Sequence, residues 1–184
     1  MHSLMKFLGF LFIALWLPTT QAEPYQYKIH AGDILDVSVW KEEGMLRELR
    51  VLPDGSISFP LVGVIVVAGK TVNDVQLELT EKISETIPDP TVNVSVKLAE
   101  GNFVYVIGQV KKPGHFLMYQ PMDVMQVLSL AGGLTPFAKS NDILILRRKN
   151  GISDSIPFRY GDIEDGESLK ENHLLKTGDV IVVP

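Results

Sequence analysis

The chain contains no cysteine. Its fold must therefore be held by a packed core rather than by disulfides, no thiol can act as a nucleophile, and no lipid-bearing cysteine is available to make a lipoprotein. Basic charge is also scarce. Lys and Arg number 17 against 22 Asp and Glu, for a net charge of −5, and no basic stripe with interleaved aromatics exists, which excludes nucleic acid as an expected partner. Histidine is sparse. After the N-terminal region only His30, His115 and His173 occur, far apart and without HxxxH or HExxH spacing, so no zinc or other metal site is expected. Beyond residue 22 the longest apolar stretches are strand-sized runs such as 62–68 and 180–183, short of the roughly 20 residues of a spanning helix.

Residues 1–22 are of a different kind. Lys6 precedes an uncharged apolar run over 7–17, Pro18 ends it, and Thr20 and Ala22 place small residues three and one positions before a cut. This reads as a secretory signal cleaved between Ala22 and Glu23; the competing reading is an uncleaved inner-membrane anchor. Cleavage removes one Lys and no acid, moving the net charge from −5 to −6. The remainder, 46% apolar and 21% charged over the whole chain, is rich enough to bury a core and is expected to form two small domains of an α+β fold.

Residues 103–135 organise the second of these. Residues 103–107 have the β-branched and aromatic character of a strand. Pro113 presets φ for a turn, Gly114 can take the positive φ that follows, and 115–119 reads as the returning strand of a hairpin. Asp123 then caps a short helix with Gln126 reaching back. Val124, Val127, Leu128 and Ala131 share its apolar face, and Gly132-Gly133 provides a left-handed end.

The first domain is read as a strand over 25–29, a turn at Gly32-Asp33 and a half-buried strand over 34–40. Pro53-Asp54-Gly55 is expected to join strands 49–52 and 56–59 in a hairpin, and 63–67 is a further apolar run. Thr71 and Asp74 form a capping box, and Val72, Val75, Leu79 and Ile83 follow a helical period until Pro88-Asp89-Pro90. Residues 92–96 alternate as a strand with one wet face, and 99–102 is a hydrophilic joint between domains. After that joint and the central unit come strands at 143–147 and 155–158, an acidic surface segment over 162–167 and a buried strand over 180–183. Gly178-Asp179 resembles Gly32-Asp33 as a turn leading into a strand.

No catalytic constellation emerges, and no cofactor is expected. Gly69-Lys70-Thr71 follows a strand and opens a helix, but a phosphate loop needs a glycine five residues before Gly69, where Val64 stands; Gly63 is one position too early. The acidic group around Gly166 lacks the spacing of a calcium loop, and no serine sits in a G-x-S-x-G setting.

The stretch 103–135 resembles the soluble-ligand-binding β-grasp (SLBB) repeat through Val104, Val106, Gly108, Val110, Pro113, Gly114, Leu128 and Ala131-Gly132-Gly133-Leu134-Thr135. The segment 25–97 resembles the polysaccharide biosynthesis/export domain. That likeness rests on Tyr27-Lys28-Ile29, Gly32-Asp33-Ile34-Leu35, Val51, Asp54-Gly55, Phe59-Pro60-Leu61-Val62-Gly63, Gly69-Lys70-Thr71 and Pro90-Thr91-Val92. The resemblance implies an export domain over 23–98 and an SLBB domain over 102–184. It implies a non-enzymatic periplasmic protein in polysaccharide (capsule or exopolysaccharide) export, acting as an oligomeric conduit or adaptor associated with the outer-membrane machinery. A homo-oligomeric ring, the polysaccharide itself and an inner-membrane polysaccharide co-polymerase follow as partners. Long family members continue into a further SLBB-like unit and a spanning helix. Their absence here leads to the expectation of a separate outer-membrane pore, such as a β-barrel. The alternative is a soluble periplasmic glycan-binding or sensing module. The motif residues, Gly32, Asp33, Asp54, Gly55, Pro60, Gly63, Gly69, Thr71, Gly108, Pro113, Gly114, Ala131–Gly133, Gly178 and Asp179, are expected to serve folding rather than chemistry.

Overall fold

A computed structural model describes residues 25–149 and 151–184; the expected signal with its Ala22–Glu23 cut lies outside the described residues. Strands and helices build two hydrophobic clusters that meet at residues 99–102.

In the first, strand β1 (Ile34–Val39) is the centre of a three-stranded antiparallel sheet, between β2 (Arg47–Arg50) and a later strand, β5 (Val92–Leu98). Alternation sends Leu35, Val37 and Val39 inward together with Val92 and Val94. Between β2 and β5 the chain forms a two-stranded hairpin, β3 (Ser56–Phe59) and β4 (Gly63–Val66), and then helix α1 (Val72–Ser84). The helix starts where Thr71 accepts from the Asp74 N–H at 3.2 Å while Asp74 accepts from the Thr71 N–H at 2.9 Å. Its buried stripe, Val75, Leu79 and Ile83, closes the core, each side chain contributing about 1.5–3 kcal/mol by leaving water.

The second cluster lies on one face of a five-stranded sheet in the order β7-β6-β10-β8-β9: β6 (Phe103–Gly108), β7 (Gly114–Leu117), β8 (Ile143–Lys149), β9 (Ile152–Phe158) and β10 (Val180–Val183). The last strand sits at the centre, parallel to β6 and antiparallel to β8. Helix α2 (Val124–Leu130), capped reciprocally by Asp123 and Gln126, lays Val124, Val127 and Leu128 against that face. The final strand thereby completes both the sheet and the core.

Several expectations are corrected. Residues 25–29 form no strand; the Ile29 backbone donates to the Lys70 carbonyl at 3.0 Å and accepts from Gly69 at 2.8 Å. The Pro53-Asp54-Gly55 turn does not make a hairpin. Val51 donates to the Asp33 carbonyl and holds β2 against β1, while the Gly55 carbonyl accepts from Val67 and Ala68 and sends β3 to β4 instead. Helix α1 ends at Ser84, ahead of Pro88. Gly114 takes a positive φ, 159°, but as the first residue of β7 opposite Val106 and not within the turn. The acidic segment 162–167 overlaps a short helix, α3 (Tyr160–Glu164), which buries Ile163.

Candidate functional site

The turn motifs fall at the places where strands change direction. Asp54 accepts from the Ser56 N–H and hydroxyl, which hold its carboxyl below the usual carboxylate range. Pro60 and Gly63 bound the β3–β4 turn, and Gly69 precedes the α1 cap at Thr71. Lys70 pairs with Glu78 at 2.5 Å, so its ammonium serves an ion pair. Pro113 lies in the β6–β7 connection, which folds back over the end of α2. The Lys111 N–H donates to the Gly133 carbonyl and the Lys112 N–H to that of Ala131, bringing the Pro-Gly and Ala-Gly-Gly halves of the motif together. Gly132 and Gly133 have φ of 80° and 81°, as a left-handed helix end needs. Gly108 allows a close approach, since a Cβ there would stand 1.9 Å from the Val183 carbonyl oxygen.

The two Gly-Asp turns share a geometry and face the same linker. Asp33 is fully buried, and its carboxylate accepts from three donors: the Tyr27 hydroxyl at 2.7 Å, the His30 N–H at 2.8 Å and the Gly101 N–H at 2.8 Å. Asp179, 1% exposed, accepts from the Lys176 N–H at 2.8 Å and from Arg147 through Nε at 2.9 Å and Nη2 at 2.6 Å. Each aspartate thus closes its own turn by accepting from the residue three positions before it, and spends its other lone pairs on a distant element. The carboxylate of Asp179 holds the Arg147 guanidinium in its charged form and raises its pKa.

Between these turns Asn102, expected to be part of a hydrophilic joint, is buried. Its amide donates to the Met118 carbonyl at 2.6 Å and its oxygen accepts from the Thr177 hydroxyl at 2.7 Å; that hydroxyl also lies 3.3 Å from the Gly101 carbonyl. A Cβ on Gly101 would sit 2.3 Å from the Ala31 carbonyl oxygen. The joint is a packed, hydrogen-bonded contact.

Beside the joint opens a cleft of about 720 Å³, within the size range of small-molecule sites. Residues 25–30 form one wall, and 118–121 with 174–177 form the other. Tyr25, Met118, Pro121 and Leu174 supply apolar surface; Gln26 and Gln120 supply amides; Lys28 and Lys176 supply positive charge. Among the described residues no carboxylate lines it. His30 stacks edge-on against Tyr27 with centroids 5.5 Å apart, and burial pushes its pKa down despite the Asp33 charge. Burial and the bond to Asp33 push the Tyr27 phenol up, keeping it a neutral donor. Such a cleft can hold a polar molecule with an apolar face. Among the described residues there is no group of three or more His, Asp or Glu placed to hold a metal ion, and no helix is long and apolar enough to cross a membrane. Asn102, Met118 and Thr177 carried no signal in the sequence; only the paired Gly-Asp turns hinted at the site.

The polysaccharide biosynthesis/export protein family matches residues 21–97, and the SLBB domain family matches 102–183. The EPS I polysaccharide export outer membrane protein EpsA of Ralstonia nicotianae is 30% identical over 198 aligned residues, covering 87% of this chain and 52% of that protein. The polysialic acid transport protein KpsD of Escherichia coli is 29% identical over 132, covering 71% of this chain and 24% of its own length. The capsule polysaccharide export protein BexD of Haemophilus influenzae is 23% identical over 176, covering 85% and 43%. The chain spans about half the length of EpsA and less of the other two. With both domains matched in order across most of its length, the chain belongs to the polysaccharide biosynthesis/export family, a transport family, and carries an SLBB domain after its export domain.

Proposed function

We propose that this protein is a non-enzymatic component of a polysaccharide export machinery, exported to the periplasm and acting as an oligomeric conduit or adaptor. The observation that carries the reading is the order of the two matched domains, aligned over 87% of the chain with a relative named as a polysaccharide export outer membrane protein. In this reading the export domain occupies 23–98 and the SLBB domain 102–184, and the motif residues hold the turns that fix the two together. The partners are further copies of this chain in a ring, the polysaccharide, an inner-membrane polysaccharide co-polymerase and a separate outer-membrane pore of β-barrel type.

Two features support assembly. The packed joint at Gly101 and Asn102 lets both domains behave as one block, which a ring requires. Exposed apolar side chains stand together on the outer face of β4, where Val64 is 71% and Val66 55% exposed, and such surface is covered on association. A monomeric glycan-binding or sensing module is the second reading, favoured by the cleft beside the joint. Sedimentation velocity of the exported protein separates the two: a discrete high-order oligomer supports the conduit or adaptor, and a monomer at all concentrations supports the sensor.

A further inference from the structure

We infer that the cleft beside the joint binds an acidic saccharide unit of the exported polymer, an inference that rests on the export reading. The distribution of charge points to it. The chain as a whole is acidic, at −5, yet among the described residues the cleft is lined by Lys28 and Lys176 and by no carboxylate. Both lysines are exposed, and neither ammonium forms an ion pair among the described residues. Lys28 also lies near Asp74, helping to hold that carboxyl low, but Asp74 does not line the cleft and is already engaged in the α1 cap. A neutral chain of sugars would gain nothing from this excess of positive charge; a uronate or other carboxylated sugar would.

The remaining lining suits a pyranose ring. Such a ring presents an apolar C–H face and a rim of hydroxyls. Tyr25 and Met118 offer the apolar surface, and the amides of Gln26 and Gln120 can both donate and accept. Because one lysine comes from each side of the joint, a bound carboxylate would draw on both domains at once. The hydrogen bonds around Asp33 and Asn102 hold the two walls in place before the ligand arrives, which lowers the cost of binding. His30 contributes no fixed charge near neutral pH, since burial lowers its pKa.

The test uses the exported protein, a short oligogalacturonate as acidic probe and a malto-oligosaccharide of equal length as neutral probe. Binding is followed by calorimetry and by amide chemical shifts. The acidic probe should bind and shift resonances of residues 25–30, 118–121 and 174–177, while the neutral probe should bind at least about tenfold more weakly. Added salt should weaken the acidic complex. The double variant K28E/K176E should lose about tenfold or more in affinity, whereas K82E, a single charge reversal on the exposed side of α1, should bind as the parent does. Q120A should weaken the acidic complex without changing its salt dependence. Equal binding of both probes, unchanged affinity in K28E/K176E, or no binding of the acidic probe would each overturn the inference. Failure of the export reading shows separately, as a strain lacking the gene that still delivers polymer to its surface.

Discussion

The backbone N–H of Gly101 donates to the buried carboxylate of Asp33 at 2.8 Å, across 68 residues of sequence. A carboxyl group buried beside one hydrophobic cluster is thereby satisfied by the peptide that leads into the other. Folding of the first domain and placement of the second are coupled through that bond.

Gly101 should tolerate no side chain. In Gly101→Ala the new Cβ meets the Ala31 carbonyl oxygen at 2.3 Å and the His30 Cβ at 2.8 Å, neither of them a flexible chain end. Denaturant unfolding should show a loss of roughly 1–3 kcal/mol, the usual cost of forcing atoms into a packed site. A loss within about 0.5 kcal/mol, as at open surface positions, would mean that the joint is loose.

Arg147 should matter more than a surface cation. Asp179 is 1% exposed and receives two of its hydrogen bonds from Arg147. Arg147→Met leaves that carboxylate buried with only the Lys176 N–H, and should cost about 3 kcal/mol in urea unfolding. Arg147→Lys should recover part of the loss, because one ammonium cannot replace the two-pronged contact. Equal stability of the two variants would contradict this role.

The two capping boxes should act independently. Thr71→Ala and Asp123→Ala each remove one cap bond and should each cost about 1 kcal/mol. They serve helices in different hydrophobic clusters, so their effects should add within about 0.5 kcal/mol. Strong non-additivity, read from a double-mutant cycle, would show that the caps communicate.

Stability should fall on mild acidification in a way that depends on His30. Burial lowers its pKa in the folded state below the ordinary histidine value. The unfolded chain therefore takes up the proton first, and the unfolded state gains relative to the folded one as pH falls below about 6.5. This contribution is fully present above that pH and is lost on the way down to the folded-state pKa. His30→Gln should flatten the unfolding free energy across that window; an unchanged slope would assign the acid sensitivity to other groups.

What the residues revealed in advance was local. Thr71-x-x-Asp74 and Asp123-x-x-Gln126 state their caps within four positions, and Gly132-Gly133 its helix end, because the interacting atoms are neighbours in the chain. Strand partnership was less legible. Pro53-Asp54-Gly55 makes a tight turn whichever strand receives the chain, and the pairing of 47–50 with 34–37, extended by Val51 bonding to Asp33, is what joins β2 to β1. Gly114 shows the same limit, since a Pro-Gly pair suits a left-handed turn, yet pairing with Val106 draws it toward an extended conformation. The cleft was invisible for a related reason. Tyr25, Asn102, Met118 and Thr177 form no pattern, and they converge only once the final strand is laid parallel to β6.

The central claim is that this protein serves polysaccharide export and not polysaccharide synthesis. Its most direct test is to delete the gene and quantify polymer separately at the cell surface and inside the envelope, with the intact gene restored as control. The account predicts that surface polymer is lost while polymer of unaltered composition is retained inside, and that restoration reverses both. Normal surface polymer in the deletion strain, or a retained polymer with altered sugar composition, would contradict it.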